Sequence, residues 1–276
     1  MTVFERCRAA DRAALIAYLM AGDPAPADTP ELIRSAVRGG ADMIELGIPF
    51  SDPLADGPSI QAAAQRALAA GTTFDKALKI GAQAKSDIGS VPLYALTYYN
   101  PLYVRGVART AREFRNAGFS GAVIVDLPPD DAGGLAHAFA RESLALVFLV
   151  APTTPAERAR HIAEACTDFV YVVSRMGVTG TRQGPGPDVA QLVQRLRPLT
   201  PKPLAVGFGV ATPQDARAIG EAADGVIVGS ALIDRIAAAA SKRAAIESVG
   251  EFCRACSSVM RQRAKRRSQP PPISTR

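Results

Sequence analysis

Acidic side chains suited to proton transfer are concentrated in residues 43–61, MIELGIPFSDPLADGPSIQ. Glu45 stands within a short apolar run, and Asp52 and Asp56 follow in a loop rich in glycine and proline. A carboxylate buried among apolar side chains costs several kcal/mol unless it is paired or protonated, so its pKa shifts. Glu45 is therefore a candidate general acid or base, and a half-solvated acid at a strand end is the alternative. For Asp52 and Asp56 the residues favour equally a catalytic role and a turn that only caps and solubilises.

Glycines at two strand–helix junctions indicate an anion-binding site. Gly207 and Gly209 precede a helix start in GFGVATPQD, and Gly229 and Ser230 stand at another helix start in GVIVGSALI. Because glycine lets the backbone approach closely, free N–H groups and the helix dipole can hold a phosphate there. One such junction is common, but two of them after the seventh and eighth apolar runs match the usual phosphate site of barrels. We therefore expect a small phosphorylated ligand.

Other residues near the ends of the apolar runs are less decisive. Tyr98 and Tyr171 either line the same mouth or are core aromatics. The segment SRMGVTGTRQGPGPD, residues 174–188, is long and rich in glycine, which is typical of a lid over an active face. No Ser-His-acid set and no metal-ligand cluster is visible, so the residues predict acid/base chemistry without a metal.

The elements that must position these residues are eight short apolar runs with helical patterns between them. Continuous rather than alternating runs are typical of strands buried on both faces. The pattern predicts an α/β fold, a single (β/α)8 TIM barrel with extra N-terminal and connecting helices. Glu45 and Asp56 then lie on the catalytic face, at the C-terminal ends of the strands. A doubly wound open sheet is the alternative, but its glycine fingerprint is absent after the first run. The runs are residues 14–19, 43–46, 92–97, 122–125, 144–150, 169–173, 203–207 and 225–229.

Three Thr-Pro pairs mark helix starts, because threonine caps a helix and proline suits its first position. They begin at Thr29, Thr154 and Thr212. Glu157 and Asp215 each follow such a threonine by three residues, as in a capping box or a close variant.

The formal net charge of +6 belongs to the end of the chain. Residues 261–276 carry six basic side chains and no acid, so residues 1–260 are formally neutral. We expect one catalytic domain over 1–260 and a disordered basic, Pro-containing tail over 261–276. Without a basic patch on the folded part, nucleic-acid binding is not expected.

The cysteines and the N-terminus point to an ordinary cytoplasmic enzyme. Cys253 and Cys256 form a lone C-x-x-C, and His137 and His161 lie on other predicted helices, so no zinc site is expected. The first residues combine charges with only a short apolar run, which indicates neither a signal peptide nor a membrane span.

Residues 43–61 closely resemble the signature of the tryptophan synthase alpha chain family. The likeness extends in order over roughly residues 14–240, and its further motifs are YLMAGDP, LTYYNPL, DLPPDDA, LVAPTTP, YVVSRMGVTG, VGFGV and IVGSALI. The resemblance implies cleavage of indole-3-glycerol phosphate to indole and glyceraldehyde 3-phosphate. It makes Glu45 the acid that protonates C3 of the indole ring and Asp56 the acid that holds the indole N–H.

Further site residues are implied by the same resemblance. Tyr171 matches a tyrosine near the catalytic glutamate, and Thr179 matches a lid threonine that touches the catalytic loop. The residues implied to line the indole pocket are Tyr18, Leu96 and Tyr98, and those implied to hold the phosphate are Gly180, Gly209, Gly229 and Ser230.

A partner chain is also implied. The family works with a beta chain that carries pyridoxal phosphate, in an αββα assembly, and the alpha chain itself has no cofactor. The contact region is expected in loops 52–58 and 126–132. A stand-alone lyase that releases free indole and a silent subunit that only activates a beta chain are the alternatives. Ala17, Met20 and the basic tail depart from the family pattern without touching the catalytic pair.

Overall fold

Nine parallel strand segments form the centre of the molecule. The structure is a computed structural model of the chain; it describes residues 1–173, 188–207 and 209–267, without the side chains of 188 and 261–267. The sheet order is β5-β4-β3-β2-β1-β9-β8-β7-β6, and every pairing is parallel. The strands are β1 (Ala14–Met20), β2 (Met43–Gly47), β3 (Leu93–Thr97), β4 (Gly121–Ile124), β5 (Ala145–Val147), β6 (Leu149–Val150), β7 (Val170–Val173), β8 (Leu204–Gly207) and β9 (Gly225–Val228).

The two edge segments of this sheet are neighbours in the chain, so the sheet closes into a barrel. Only Phe148 separates β5, which pairs with β4, from β6, which pairs with β7. At the break the Phe148 N–H donates to Cys166 Sγ at 3.3 Å, and the Tyr171 N–H donates to the Phe148 carbonyl at 3.2 Å. The predicted (β/α)8 barrel is confirmed, and its fifth strand, expected to be continuous, is broken at this seam.

The described residues form twelve α-helices around the barrel. One helix precedes β1, and two helices each connect β2 to β3 and β3 to β4, which are the predicted extra elements. The helices are α1 (Val3–Ala9), α2 (Thr29–Arg38), α3 (Pro58–Ala69), α4 (Phe74–Ile88), α5 (Tyr99–Arg105), α6 (Val107–Asn116), α7 (Gly133–Arg141), α8 (Ala156–Ala165), α9 (Asp188–Leu196), α10 (Pro213–Ala222), α11 (Ser230–Ala238) and α12 (Lys242–Arg267).

The strands are buried on both faces, as their continuous apolar runs predicted. Every residue of β1, β2 and β3 is buried, because one face points into the barrel and the other packs under the helices. The long helix α12 packs closely on α2: the Ser35 hydroxyl donates to the Ile246 carbonyl at 2.6 Å. A Cβ on Gly250 would lie only 2.5 Å from Ser35 Oγ, so this contact requires glycine.

Only one of the three predicted threonine caps is present. Thr212 forms a full capping box with Asp215 at the start of α10. Thr29 is instead the first residue of α2, and its hydroxyl accepts the Gly22 N–H at 2.9 Å. The cap residue of α8 is Pro155, and the Thr154 hydroxyl accepts the Ala151 N–H at 3.0 Å. In both cases a loop N–H takes the hydroxyl that the pattern assigned to a helix.

The last helix, α12, continues to Arg267, past residue 260, where the predicted catalytic domain ends. Residues 268–276 lie outside the described part, so the disordered tail stays a prediction. Among the described residues, no helix has the length and apolarity needed to cross a bilayer.

Candidate active site

Glu45 is a buried carboxyl group in the barrel interior. It lies in β2, opposite Tyr18 of β1 in the register, and it is 2% exposed. No described group donates a hydrogen bond to its Oε2. Burial first, and then the negative charge of Asp56, raise the pKa of Glu45 to about 8. The group is therefore protonated at neutral pH and can act as a general acid.

Asp56 comes from the loop between β2 and α3, over the C-terminal ends of the strands. Burial raises the pKa of Asp56 to about 6, and a hydrogen bond from the Tyr98 hydroxyl opposes this rise. At neutral pH most Asp56 carboxyls are ionised while most Glu45 carboxyls are not. Two carboxyl groups held in different protonation states can divide acid and electrostatic roles between them.

Two side chains outside the loop hold its backbone by hydrogen bonds, one at Ala55 and one at Asp56 itself. The Ala55 N–H donates to the Tyr98 hydroxyl at 2.9 Å. The Gln61 side-chain amide donates to the Asp56 carbonyl at 2.9 Å. Gly57 is the cap residue of α3 and Pro58 its first residue, so the helix begins directly after the acid.

Two inward tyrosines flank the acidic pair, and each needs a glycine on the next strand. A Cβ on Gly47 would lie 2.2 Å from Tyr18 Oη, and one on Gly207 would lie 2.5 Å from Tyr171 Oη. Burial, together with the charges of Asp56 and Glu45, raises the pKa of both phenols well above its ordinary value. Both hydroxyls therefore stay neutral and remain hydrogen-bond donors.

A cavity of about 370 Å³ brings the predicted site residues together. This volume lies within the range of small-molecule sites, ~300–1,000 Å³. The predicted residues that line it are Glu45, Asp56, Tyr18, Leu96, Tyr171, Gly209, Gly229 and Ser230. Tyr98 does not line the cavity itself, but its hydroxyl accepts the N–H of Ala55, which does. Thr179 and Gly180 lie outside the described residues, as does most of the predicted lid.

The part of the cavity wall that follows β8 and β9 is built largely from backbone. Gly209 has φ of +86°, a conformation that favours glycine, and Gly229 caps α11 without a side-chain hydrogen bond to the helix. The first N–H groups of α11 are therefore available, and the helix dipole favours a negative charge beside Ser230. This geometry suits a phosphate group.

Several apolar lining residues were missed by the sequence analysis. They are Ile60, Val125, Leu149, Val173, Val210 and Ile227, and Leu54 of the loop, which is 93% exposed, also borders the cavity. A continuous apolar run does not show which of its side chains face the barrel interior, so these residues carried no distinguishing signal. Their surfaces give the cavity an apolar wall, as is usual for small-molecule sites.

The described residues contain no group of three or more His, Cys, Asp or Glu side chains that could hold a metal ion. Cys253 and Cys256 are buried in α12, and burial raises the pKa of each thiol to about 12. Neither thiol is reactive at neutral pH.

Comparison with known proteins identifies the family. The family model described as the tryptophan synthase alpha chain matches residues 4–261. The chain belongs to the tryptophan synthase alpha chain family. It is 49% identical to the alpha chain of Prochlorococcus marinus (strain MIT 9313) over 252 residues, 91% of each chain. It is 46% identical to that of Thermosynechococcus vestitus over 251 residues, 91% of this chain and 93% of the relative.

Solved structures agree with this assignment. Tryptophan synthase of Mycobacterium tuberculosis superimposes with a TM-score of 0.86 at 36% identity, covering 94% of this chain and 96% of that chain. The alpha subunit from Legionella pneumophila str. Paris gives a TM-score of 0.85 at 34% identity, with the same coverage. Tryptophan synthase alpha chains cleave indole-3-glycerol phosphate, so this chain is a lyase of tryptophan biosynthesis.

Proposed function

We propose that Glu45 and Asp56 perform the cleavage of indole-3-glycerol phosphate as an acid and an anion. The main observation behind this proposal is that the pKa of Glu45, about 8, and the pKa of Asp56, about 6, lie on either side of neutral pH. Protonated Glu45 supplies the proton for C3 of the indole ring. Ionised Asp56 accepts the indole N–H and stabilises the positive charge that develops on the ring.

The same glutamate completes the reaction. Once it has protonated C3, the Glu45 carboxylate removes the proton from the hydroxyl on the adjacent side-chain carbon. The C–C bond breaks, its electron pair returns to the ring as indole is released, and the former alcohol carbon becomes the aldehyde of glyceraldehyde 3-phosphate. Glu45 regains its proton, so the cycle needs no cofactor in this chain.

The rest of the cavity holds the substrate. Gly209, Gly229 and Ser230 bind the phosphate, and the apolar wall with Leu96, Tyr18 and Tyr171 contains the indole ring. Thr179 and Gly180 are assigned to the closing lid and the phosphate site by the family resemblance. Fixing both ends of the substrate places C3 at the acid.

The test is a steady-state assay of indole released from indole-3-glycerol phosphate. Glu45→Gln and Asp56→Asn keep side-chain volume but lose the proton donor and the negative charge. We expect each to lower kcat/KM by ~10³-fold or more, since acid catalysis and charge stabilisation each contribute that order. Asp52→Asn, an exposed acid on the same loop, is the matched control and should keep parental turnover.

The pH profile gives a second reading of the same assay. The parental kcat/KM should be bell-shaped, with limbs near the two pKa values. Near-parental indole release by Glu45→Gln would refute the proposal, and so would a profile that is flat between pH 5 and 9.

The partner is a tryptophan synthase beta chain with its pyridoxal phosphate, in a cytoplasmic αββα heterotetramer that passes indole internally. Exposed apolar side chains on the Asp56 loop and on α5, which follows β3, support a partner surface: Leu54 is 93%, Tyr103 66% and Val104 78% exposed. Loops 52–58 and 126–132 lie on the same face.

Size-exclusion chromatography with a beta chain, and the indole assay with and without it, test the assembly. Fast turnover without stimulation would instead favour the stand-alone lyase.

A further inference from the structure

The acid on the loop has a positioning problem that the acid on the strand does not have. Glu45 is fixed by the β2 pairings on both sides. Asp56 belongs to a connecting loop whose backbone turns are local, such as the bond from the Asp56 N–H to the Pro53 carbonyl at 3.1 Å. A misplacement of ~1 Å at a catalytic group costs about 100-fold in rate. Other groups must therefore hold Asp56 over the cavity.

Tyr98 is well placed to do so, because the barrel fixes it. It directly follows β3 and caps α5, and the next residue, Tyr99, donates its N–H to the Asp126 carboxylate at 2.7 Å. The Tyr98 side chain is 4% exposed, and its ring centroid lies 5.2 Å from that of Phe50, at the start of the same loop. Its hydroxyl thus reaches the loop from a rigid base.

The hydroxyl of a tyrosine can accept and donate at once. Here it accepts the Ala55 N–H at 2.9 Å, one residue before the catalytic acid. The same hydroxyl interacts with the Asp56 carboxyl, and this hydrogen bond lowers the pKa of Asp56 against the effect of burial. One oxygen atom therefore contacts both the backbone of the loop and its charged side chain.

Gln61 contacts the same residue from the other side. Its side-chain amide donates to the Asp56 carbonyl at 2.9 Å, from the first turn of α3. This bond holds the main chain but does not touch the carboxylate. Tyr98 and Gln61 differ in this respect, and the difference can be measured.

We propose that Tyr98 is a positioning residue that fixes the Asp56 loop and keeps the Asp56 carboxylate ionised, with Gln61 as its backbone-only counterpart. This role rests on the proposed function of Asp56. It differs from the role of a residue that lines the indole pocket, because the Tyr98 hydroxyl acts through the loop and not on the substrate.

The surroundings of Asp56 make the Tyr98 hydroxyl important for its charge. Among the described residues, the titratable groups that face Asp56 are Glu45 on β2, Tyr18 on β1, Tyr171 on β7 and Tyr98 itself, and the Asp126 charge acts on Tyr98. Of the described residues that line the cavity, none is a lysine, arginine or histidine. Because the hydrogen bond from Tyr98 lowers the pKa of Asp56, its removal should raise that pKa.

The test is Tyr98→Phe, which removes one oxygen atom and keeps the ring. We expect kcat to fall by ~10-fold or more, the effect of one hydrogen bond to a charged group, with a smaller change in KM. The acidic limb of the kcat/KM profile should move to higher pH, while the basic limb, set by Glu45, stays. Tyr99→Phe, the same change on the next residue, whose partly buried side chain does not line the cavity, is the control and should keep both limbs and turnover.

Gln61→Met separates positioning from ionisation, because it loses the amide donor without affecting the carboxylate. We expect a lower kcat and an acidic limb at its parental pH. Parental kcat in either variant would overturn the two-sided support, and an unmoved acidic limb in Tyr98→Phe would overturn the role in ionisation. If Tyr98→Phe does not fold, the Gln61→Met result still decides whether the loop is held in this way.

Failure of this inference is distinguishable from failure of the proposed function. If Asp56→Asn is inactive and Tyr98→Phe is parental, only the role of Tyr98 is wrong. If Asp56→Asn itself turns over at the parental rate, the catalytic role of Asp56 is wrong and the role of Tyr98 falls with it.

Discussion

In the proposed mechanism the chemistry comes from two carboxyl groups, Glu45 and Asp56, which differ in their burial and in how they are held. Glu45 is enclosed by strands and has an unpartnered oxygen, so its protonated form is favoured. Asp56 receives a hydrogen bond from Tyr98 that partly offsets burial. The charge of Asp56 also raises the pKa of Glu45, so the ionised Asp56 helps to keep Glu45 protonated.

The raised pKa of Glu45 has a consequence for stability. The unfolded chain ionises this group near the ordinary value of 4.5, and the folded chain only near pH 8. Between these values the folded state binds more protons, so the free energy of unfolding falls as the pH rises. A rise of this size corresponds to ~5 kcal/mol lost by pH 9.

Glu45→Gln carries no such proton and should escape this loss. We expect its free energy of unfolding, relative to the parental chain, to increase by several kcal/mol between pH 5 and pH 9. Urea unfolding at the two pH values measures this, with the exposed Glu164→Gln as the control. A difference that does not change with pH would mean that Glu45 ionises normally in the fold.

For single residues, the sequence predicted burial correctly where burial follows from the neighbours along the chain. Glu45 was predicted to be buried because it stands in an apolar run, and it is 2% exposed. Asp56 could not be assigned from its own loop, since its burial depends on β3 and on Tyr98. The hydroxyl contact of Tyr98 with Ala55 joins residues 43 positions apart, which no local pattern encodes.

Around the site, neighbouring strands pack closely because a large side chain on one strand lies against a glycine on the next. Tyr18 of β1 lies against Gly47 of β2, and its ring edge comes near Gly229, where a Cβ would be 3.6 Å from it. This tyrosine therefore spans the cavity wall between Glu45 on β2 and the start of α11, where we propose that the phosphate binds. Its position depends on glycine at the end of the neighbouring strand.

Gly47→Ala tests this dependence. The new Cβ would lie 2.2 Å from Tyr18 Oη, so the ring must move into the cavity or β2 must shift. We expect a destabilisation of ~1–3 kcal/mol, as for overpacked cores, and a fall in kcat/KM. Gly134→Ala, where nothing lies within 4 Å of the added Cβ, is the control.

A second substitution makes the test specific to this contact. Tyr18→Leu removes the hydroxyl and the ring. The double variant Gly47→Ala, Tyr18→Leu should therefore lose less free energy of unfolding than the sum of the losses in the two single variants. A double-mutant cycle in urea measures the coupling. Additive effects would show that Gly47 is needed for another reason.

The whole barrel was predictable because its regularity is local. Each apolar run lies close to a strand, and the closure that joins them follows from eight strand–helix units. The break at Phe148 was not predictable, since it depends on the Cys166 thiol from a later turn taking the place of a strand partner. The predicted capping by Thr29 and Thr154 was wrong because N–H groups of the preceding loops, at Gly22 and Ala151, donate to these hydroxyls instead.

The boundary between the fold and the tail can be tested on the whole chain. Within α12, the side chains buried against α2, α10 and α11 end at Met260 among the described residues. Residues 261–276 contribute six basic side chains and no acid. If they add charge and no packing, removing them should leave the Tm within ~1 °C and bring the formal charge to zero.

The comparison for this truncation is a change inside the packed part of the same helix. Phe252 is 5% exposed, and the Arg235 guanidinium lies 4.2 Å from its ring centroid. Phe252→Ala should cost ~3 kcal/mol or more and lower the Tm by ~6 °C or more. Differential scanning calorimetry of both variants measures the contrast. A fall of several degrees on truncation would place the last turns of α12 inside the cooperative fold, and the domain would then extend past residue 260.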